Sequence, residues 1–313
     1  MVEEPTTVIR PPRPPRRHRT KASRGRILAR RLIAFAFVLA LLGLVVGSAW
    51  AIFRGGGEEQ VAPPPQPVAP APKVLKIIFP EGFTRADMAH RISEVNAIAK
   101  QKRKVTPRLS EDRYLALTDG ASRVPKPFLA DGKPPNLEGF LFPATYEFTA
   151  KTSSKQLVAK QVEAFQRNWK TVDLRDARKK NLTPYDVLII ASMIEKEVRV
   201  AKERPLVAAV IYNRLHVGLP LGIDATLRYG FDIPPTEAIR QSQLDSDSPY
   251  NTRKRPGLPP TPIANPGLAS MQAAARPARK NYLYFIRRPD CRSHFFTASA
   301  REFDNYTRAG LQC

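Results

Sequence analysis

An uncharged apolar run from Leu32 to Phe53 constrains the architecture of this chain more than any other segment. As an α-helix it would be roughly 33 Å long at about 1.5 Å per residue, enough to span the hydrocarbon core of a bilayer. Arg30 and Arg31 lie directly before it. Because positive residues beside a spanning helix stay in the cytoplasm, the sequence predicts a single-pass anchor of the plasma (inner) membrane, with a cytoplasmic N-terminus and everything after Arg54 outside.

A cleaved signal peptide is the alternative interpretation of this run. Ala49-Trp50-Ala51 has the small-x-small pattern of a cleavage site. The run is, however, longer than the hydrophobic region of a typical signal peptide, which favours the anchor.

Two compositionally biased segments flank the predicted anchor. Residues 1–31 contain ten Lys and Arg against two acids, which predicts a disordered, basic cytoplasmic tail. Residues 54–73 contain a Gly triplet and a proline-rich run, a pattern typical of a flexible joint followed by a polyproline spacer. The folded body is therefore expected to begin near Val74.

The net charge of +23 narrows the classes of partner. A basic chain attracts polyanions such as nucleic acid, anionic lipid or an acidic cell-wall glycan. Nucleic acid is disfavoured, because the sequence contains no recognition motif and the predicted topology places the body outside the cell. Cys291 and Cys313 are too few for a disulfide scaffold and have no metal-ligand spacing, so no metal site is predicted. Pairing of the two in an oxidising compartment stays open, because sequence fixes no geometry.

The pattern of the remaining sequence predicts a mixed α+β body. Thr84 and Thr183 are each followed by an aspartate three residues later, which marks the start of a helix. Apolar residues then recur at helical spacing, whereas short apolar runs between turn residues indicate strands. We predict strands at 74–79, 282–286 and 294–296, helices after Thr84, near 114–117, at 154–170, after Thr183, at 202–216 and at 268–275, and loops at 222–229 and 247–252.

The helix after Thr183 contains the candidate catalytic residue. Val187, Ile190 and Ile194 recur on one face that is expected to be deeply buried, and Glu195 lies beside that face. Desolvation of a carboxyl favours its protonated form, which a general acid requires at neutral pH. The alternative is a surface glutamate flanking an apolar stripe, where charged residues usually lie.

Several motifs, in order, resemble those of the YceG-like family, the membrane-anchored endolytic murein transglycosylases. The resemblance begins near Val74 and is dense from Leu137 to Phe296. It rests on Leu137-Glu138-Gly139, Ile194-Glu195-Lys196-Glu197, Asn213-Arg214, Asp224-Ala225-Thr226, Ser248-Pro249-Tyr250-Asn251-Thr252, Gly257-Leu258-Pro259-Pro260, Ala273-Ala274-Ala275 and Tyr282-Leu283-Tyr284-Phe285. The resemblance implies a small LysM-like α/β module at 74–135 and a YceG-like catalytic domain, with its catalytic Glu on a buried helix, at 136–313.

The resemblance also implies a reaction that needs one carboxylic acid and no cofactor. Glu195 would protonate the glycosidic oxygen between N-acetylmuramic acid and N-acetylglucosamine in nascent glycan strands. The C6 hydroxyl of the N-acetylmuramic acid would then attack C1 of that sugar, and Glu195 would take the hydroxyl proton. The product would be a 1,6-anhydromuramoyl end. A well-placed intramolecular nucleophile makes water and a second carboxylate unnecessary.

Four residues are predicted to contact the glycan. Asp224 and Thr226 either hydrogen-bond the sugars or orient Glu195, although Asp224 alternatively caps a turn. Tyr250 suits stacking on a sugar face and Asn251 suits binding an N-acetyl group, although both alternatively serve only the structure of their loop.

Four further residues have roles that the sequence leaves more open. Asn213 is predicted to face the same region from a helix end, and its neighbour Arg214 either does so or pairs with the second glutamate of the Glu-Lys-Glu motif. Glu138 is predicted to line the site without acting as the acid. His294 is expected to be a core or rim histidine.

The sequence departs from the family pattern at three places. Ala144 and Arg253 replace an acid and an aromatic residue that family members usually carry. The segment before the predicted LysM-like module is shorter than in the family, so we expect a truncated module that packs on the catalytic domain. Ala144 and the shortened segment keep one alternative open, a non-catalytic, membrane-tethered glycan-binding scaffold for cell-wall synthases (penicillin-binding proteins). A hydrolase that uses water is a further alternative.

Overall fold

The computed structural model describes residues 24–54, 73–129 and 134–313. Most of the predicted basic tail and nearly all of the predicted linker lie outside these residues. The chain divides into two compact units, Met1–Ala69 and Pro70–Cys313.

The first unit contains a single long helix in its described part, α1 (Arg24–Arg54). Its segment Arg31–Ile52 has a mean hydropathy of 2.6, and the described apolar side chains of that segment are exposed. A helix of this length and composition is compatible with a membrane anchor, as the sequence predicts.

The second unit combines helices with two small antiparallel sheets. Strand β1 (Leu75–Ile78) pairs with β2 (Thr145–Phe148), with Leu75 opposite Phe148, and β3 (Tyr284–Arg287) forms a hairpin with β4 (His294–Thr297). The helices are α2 (Arg85–Arg103), α3 (Glu111–Thr118), α4 (Ser154–Trp169), α5 (Arg175–Arg178), α6 (Pro184–Glu197), α7 (Arg204–His216), α8 (Asp224–Gly230), α9 (Gln241–Leu244), α10 (Leu268–Ala275) and α11 (Ala300–Arg308). The predicted mixed α+β class is confirmed.

Local chemistry explains where the longer helices begin. The Thr183 hydroxyl accepts the backbone N–H of Asp186 at 3.1 Å, and the Asp186 carboxylate accepts that of Thr183 at 2.9 Å. The same reciprocal cap joins Thr84 and Asp87 at the start of α2. Each cap satisfies donors that have no partner inside the helix, so the predicted start points are confirmed.

Two expectations about helices were wrong, one about secondary structure and one about burial. Residues 224–230 form the helix α8 rather than a loop, because burial of Ala225 and Leu227 against the core overrides a weak local pattern. Helix α6 is buried on all sides from Val187 to Ile194 rather than along one face. Helices α7, α8 and α10 pack around it, so it is the central helix of the core.

The sheet of β1 and β2 connects the two predicted domains of the body. Its two strands lie on opposite sides of the predicted boundary at residue 135. In addition, Phe128 of the first predicted domain packs among Phe140, Phe165 and Trp169 of the second, with ring centroids 4.9–5.5 Å away. The two segments therefore share one hydrophobic core, and the boundary itself stays a prediction.

A disulfide joins Cys291, in the turn between β3 and β4, to Cys313. Replacing both cysteines by serine is expected to lower the free energy of unfolding by about 3 kcal/mol, because the bond closes a loop over a sequence separation of 22 residues. Thermal unfolding of the full-length protein in detergent, with and without reductant, measures the effect. Reductant should lower the midpoint of the wild type and leave that of the double variant unchanged; equal midpoints for both proteins under oxidising conditions would contradict the prediction.

Candidate functional site

The last turn of α6 contains two glutamates, Glu195 and Glu197, with different surroundings. Glu195, the sequence-predicted acid, has 7% of its side-chain surface exposed. Its Oε2 accepts the backbone N–H of Gly267 at 2.9 Å, and its Oε1 lies 3.9 Å from Nη2 of Arg204. Through these contacts Glu195 ties α6 to the start of α10 and to Arg204 at the start of α7.

Glu81 is a carboxylate that the sequence analysis did not identify. It lies so close to the Cα of Gly267 that a β-carbon there would overlap its carboxylate. Burial raises the pKa of Glu81, the charge of Glu195 raises it further, and the charge of Arg204 lowers it. The Pro-Glu-Gly turn directly after a predicted strand was the signal available in the sequence.

The turn that contains Glu81 covers the end of α6. Lys196 Nζ donates to the carbonyl of Gly82 at 3.2 Å, and the Gly82 N–H donates to the carbonyl of Asn265 at 3.0 Å. The side chain of Asn265 donates to the carbonyl of Phe83 at 2.9 Å. These contacts fix residues 81–83 over Glu195.

Glu197, the last residue of α6, lies in a different environment. Its side chain is 13% exposed, and its Oε2 lies 3.8 Å from Nη2 of Arg287. Burial raises its pKa, the charge of Asp224 raises it further, and Arg287 and the backbone N–H of Ala225 lower it. The negative end of the helix dipole also disfavours a charged carboxylate at this position. Glu197 is therefore a shielded carboxyl whose protonated form is favoured and which retains access to solvent.

Asp224 and Thr226, both predicted to contact glycan, lie on α8 in contrasting positions. The Asp224 side chain is 45% exposed and accepts a hydrogen bond from Arg253 Nε at 2.6 Å. Thr226 is fully buried, and its hydroxyl bonds the Ile223 carbonyl at 2.7 Å and the Thr252 hydroxyl at 2.9 Å. Asp224 thus faces solvent near Glu197, whereas Thr226 holds the start of α8 against the next loop.

Tyr250 and Asn251 are also placed differently. Tyr250 is half-buried; its hydroxyl lies 2.8 Å from that of Thr261, and its ring centroid lies 5.4 Å from that of Tyr229. Asn251 is fully buried, and its amide nitrogen donates to two carbonyls of the preceding segment at 2.8 Å each. Its Oδ1 accepts the backbone N–H of Arg253 at 3.2 Å. Tyr250 retains an accessible part, whereas Asn251 shapes the loop that contains Arg253.

Asn213 and Arg214 at the end of α7 hold the segment that enters β3. Asn213 Nδ2 donates to the carbonyls of Lys280 and Tyr282 at 2.9 and 2.8 Å. Arg214 Nε donates to the carbonyl of Leu283 at 2.6 Å. Arg214 binds backbone carbonyls, and Arg287 occupies the position beside Glu197 that was considered for it.

His294 lies in the core rather than at the candidate site. Its Nδ1 is 2.8 Å from Oε2 of Glu203, and both side chains are almost fully buried. This geometry agrees with the expectation of a core histidine.

Glu138 is buried at the junction of three segments. Its two oxygens lie 3.1–3.2 Å from the backbone nitrogen of Arg85, and they also accept hydrogen bonds from Asn265 Nδ2 at 2.8 Å and the Tyr229 hydroxyl at 3.2 Å. Burial raises its pKa to about 7, against the opposing effect of the Arg85 and Tyr229 bonds. Glu138 therefore positions the start of α2 and Asn265 from behind the candidate site.

The raised pKa of Glu138 predicts a pH-dependent stability. Because the folded-state pKa of about 7 exceeds the ordinary 4.5, the contribution of Glu138 is full below pH 4.5 and is lost as the pH rises through 7. Glu138→Gln removes this titration. At low pH we expect the variant to be less stable than the wild type, because an amide nitrogen cannot accept hydrogen bonds. From pH 4.5 to about 8, the free energy of unfolding of the variant should rise by about 3 kcal/mol relative to that of the wild type. Urea unfolding of both proteins across this range measures the difference; a constant difference would contradict the prediction.

Comparison with known proteins identifies the family of the chain. A model of the YceG-like family matches residues 65–309. The endolytic murein transglycosylase of Bacillus subtilis (strain 168) is 37% identical over 154 residues, 48% of this chain and 41% of that protein. That of Streptococcus pneumoniae (strain R6) is 28% identical over 250 residues, 74% of this chain and 42% of that protein. The chain thus matches less than half the length of each of these curated relatives.

A solved structure agrees with the family model. The crystal structure of a YceG-like protein from Listeria monocytogenes superposes with a TM-score of 0.61 at 31% sequence identity, covering 76% of each chain. Together with the family model, which extends over most of the sequence, this likeness confirms the resemblance inferred from the motifs. The chain belongs to the YceG-like family.

Proposed function

We propose that this protein is an endolytic lytic transglycosylase that cleaves the glycan strands of peptidoglycan. The family and the names of its relatives support this activity. The observation that carries the proposal is the Glu197 carboxyl, which is nearly buried at the end of a core helix, has a raised pKa and borders the exposed pair of Asp224 and Arg253. A raised pKa favours the protonated form that a general acid needs.

The contacts favour Glu197 over Glu195 as the proton donor. The assignment from the sequence motif to Glu195 stays a prediction. Glu195 lies beneath the turn at 81–83, and both of its oxygens already face protein partners, the N–H of Gly267 and the guanidinium of Arg204. Glu197 borders Asp224, which was predicted to contact the glycan. A donor needs a proton to give and a substrate within reach. Burial raises the pKa of Glu197, and no turn covers its carboxyl as residues 81–83 cover that of Glu195.

The proposed reaction uses one carboxyl group twice. Protonated Glu197 donates to the glycosidic oxygen as the bond to C1 of N-acetylmuramic acid breaks and an oxocarbenium-like centre develops. The C6 hydroxyl of the same sugar attacks C1, and the Glu197 carboxylate takes the hydroxyl proton. The enzyme returns to its starting protonation state and no water is consumed, so the product ends in 1,6-anhydro-N-acetylmuramic acid.

The other predicted residues divide into two groups under this proposal. Asp224 and Tyr250 have accessible polar or aromatic surface and contact the glycan. Thr226, Asn251 and Asn213 keep the surrounding loops in place, and Glu138 positions α2 from behind. Residues 74–135 act as a shortened LysM-like module packed on the catalytic domain.

We further propose that α1 anchors the protein in the plasma membrane with the body on the outer side. The Arg-rich N-terminal flank supports this orientation. The Cys291–Cys313 disulfide also supports it, because disulfides persist in oxidising compartments. In this location the enzyme meets nascent strands beside the cell-wall synthases that make them.

Product analysis tests the proposed activity. The full-length protein in detergent is incubated with purified peptidoglycan, and the released fragments are analysed by mass spectrometry. We expect ends that are lighter by one water than ordinary reducing ends. Reducing ends would instead indicate a hydrolase, and binding without release would indicate a glycan-binding scaffold.

A further inference from the structure

Arg253 lies beside Asp224 at the exposed edge of the candidate site, which we call the rim, at a position where the family usually has an aromatic residue. Its Nε donates to Oδ1 of Asp224 at 2.6 Å, and the two side chains are 46% and 45% exposed. The electrostatic influence of Asp224 reaches Glu197. The guanidinium group of Arg253 is therefore linked to the proposed proton donor, Glu197, through Asp224.

The backbone beneath Arg253 is firmly held. The N–H of Arg253 donates to Asn251, whose side chain is fully buried and bonded to two carbonyls. The Thr252 hydroxyl accepts the backbone N–H of Ile223 at 3.1 Å, directly before α8. This part of the rim is thus ordered before any substrate binds, which reduces the entropy lost on binding.

Most of the hydrogen-bonding capacity of Arg253 is unused. A guanidinium has five N–H donors in a planar fork, and among the described residues only Nε of Arg253 has a protein partner. A second guanidinium, that of Arg287, is 38% exposed and lies 3.8 Å from Glu197. The rim thus offers a half-exposed planar fork with unpaired donors, which suits two-pronged binding of a carboxylate.

We propose that Arg253 makes this protein selective for glycan whose peptide substituents carry free carboxylates. This inference rests on the proposed function and names the substrate class that the site prefers. The Nη donors of Arg253 bind a substrate carboxylate while its Nε stays bonded to Asp224. Neutral polysaccharides, and peptidoglycan whose peptide carboxylates are converted to amides, lack the acceptor and bind more weakly.

The test compares native peptidoglycan with the same material after chemical amidation of its carboxylates. For the full-length wild type we expect amidation to lower kcat/KM about tenfold, the value of one charge-assisted contact. Arg253→Gln should cleave native material about tenfold less efficiently, mainly through a higher KM, and should be insensitive to amidation. Arg255→Gln is the matched control, because Arg255 is exposed two residues away and has no side-chain partner among the hydrogen bonds and ion pairs of the described residues.

The outcomes separate specific binding from other effects. If Arg253 only supported the local structure, its replacement would slow cleavage of both materials by the same factor. If Arg255→Gln lowered kcat/KM on native material as much as Arg253→Gln, the effect would be general charge attraction. A wild type that cleaves native and amidated material equally well would also overturn the inference. Absence of cleavage by the wild type would refute the proposed function instead. Co-sedimentation of the three proteins with both materials then decides the selectivity, with weaker binding of amidated material expected for the wild type and Arg255→Gln only.

Discussion

Glu197→Gln is expected to lower the rate of peptidoglycan cleavage by at least about a hundredfold, because a general acid contributes roughly that factor or more. Glutamine has nearly the same shape as glutamic acid but cannot donate the proton. The side chain is almost buried and its pKa is raised, so loss of the charge should not unfold the protein at neutral pH. The measurement is the rate of release of anhydro-ended fragments from purified peptidoglycan, together with the thermal midpoint of each protein.

Glu195→Gln is the matched comparison on the same helical turn. A glutamine oxygen can still accept the N–H of Gly267, although the attraction to Arg204 is lost. We expect a rate within about tenfold of the wild type, the value of one lost charge-assisted contact. If Glu195→Gln abolished cleavage and Glu197→Gln remained active, the acid would be Glu195, as the motif alone suggested.

Gly139→Ala is expected to destabilise the fold by about 3 kcal/mol. Gly139 has a φ of +89°, a conformation that side chains rarely adopt. An added β-carbon would also lie 2.7 Å from Cγ of Pro262 and 3.2 Å from Cδ2 of Leu188 in the core. Strain and overpacking each cost about 1–2 kcal/mol, and the proline ring cannot rotate away. Urea unfolding of the full-length protein measures the loss.

Comparison with Gly257→Ala separates the backbone strain in Gly139→Ala from the overpacking. Gly257 has a similar φ of +96°, but a β-carbon there would meet no atom within 4 Å. Its replacement should therefore cost only the backbone strain, about 1 kcal/mol. Equal destabilisation by the two substitutions would show that the contact with Pro262 is relieved without cost.

The sequence predicted features that depend on local chemistry. The caps at Thr84 and Thr183 and the bounds of α10 follow from residues a few positions apart, and the structure has all three. The capping hydrogen bonds form within one turn, so no distant partner is needed to infer them. Helix α8 was missed because its stability comes from burial against α6 rather than from its own pattern.

The candidate site was only partly predictable for the same reason. The motif located the acidic end of α6, but the contacts of Glu195 and Glu197 come from residues up to about a hundred positions away. Glu81 approaches from before α2, and Arg287 approaches from β3. Asn251 suited an N-acetyl group by its chemistry, but its loop encloses it completely. Which polar side chains remain open to a ligand is a property of tertiary packing.

The turn over α6 limits how the body can be divided. Residues 81–85 supply the cover of Glu195 and the backbone donor for Glu138, and β1 supplies the partner of β2. A fragment starting at residue 136 would deprive the buried carboxyl of Glu138 of its backbone donor and would leave β2 without its neighbouring strand. The candidate site can therefore be transferred to another protein only together with the stretch from Leu75 onward, so the smallest autonomous unit is the complete folded body.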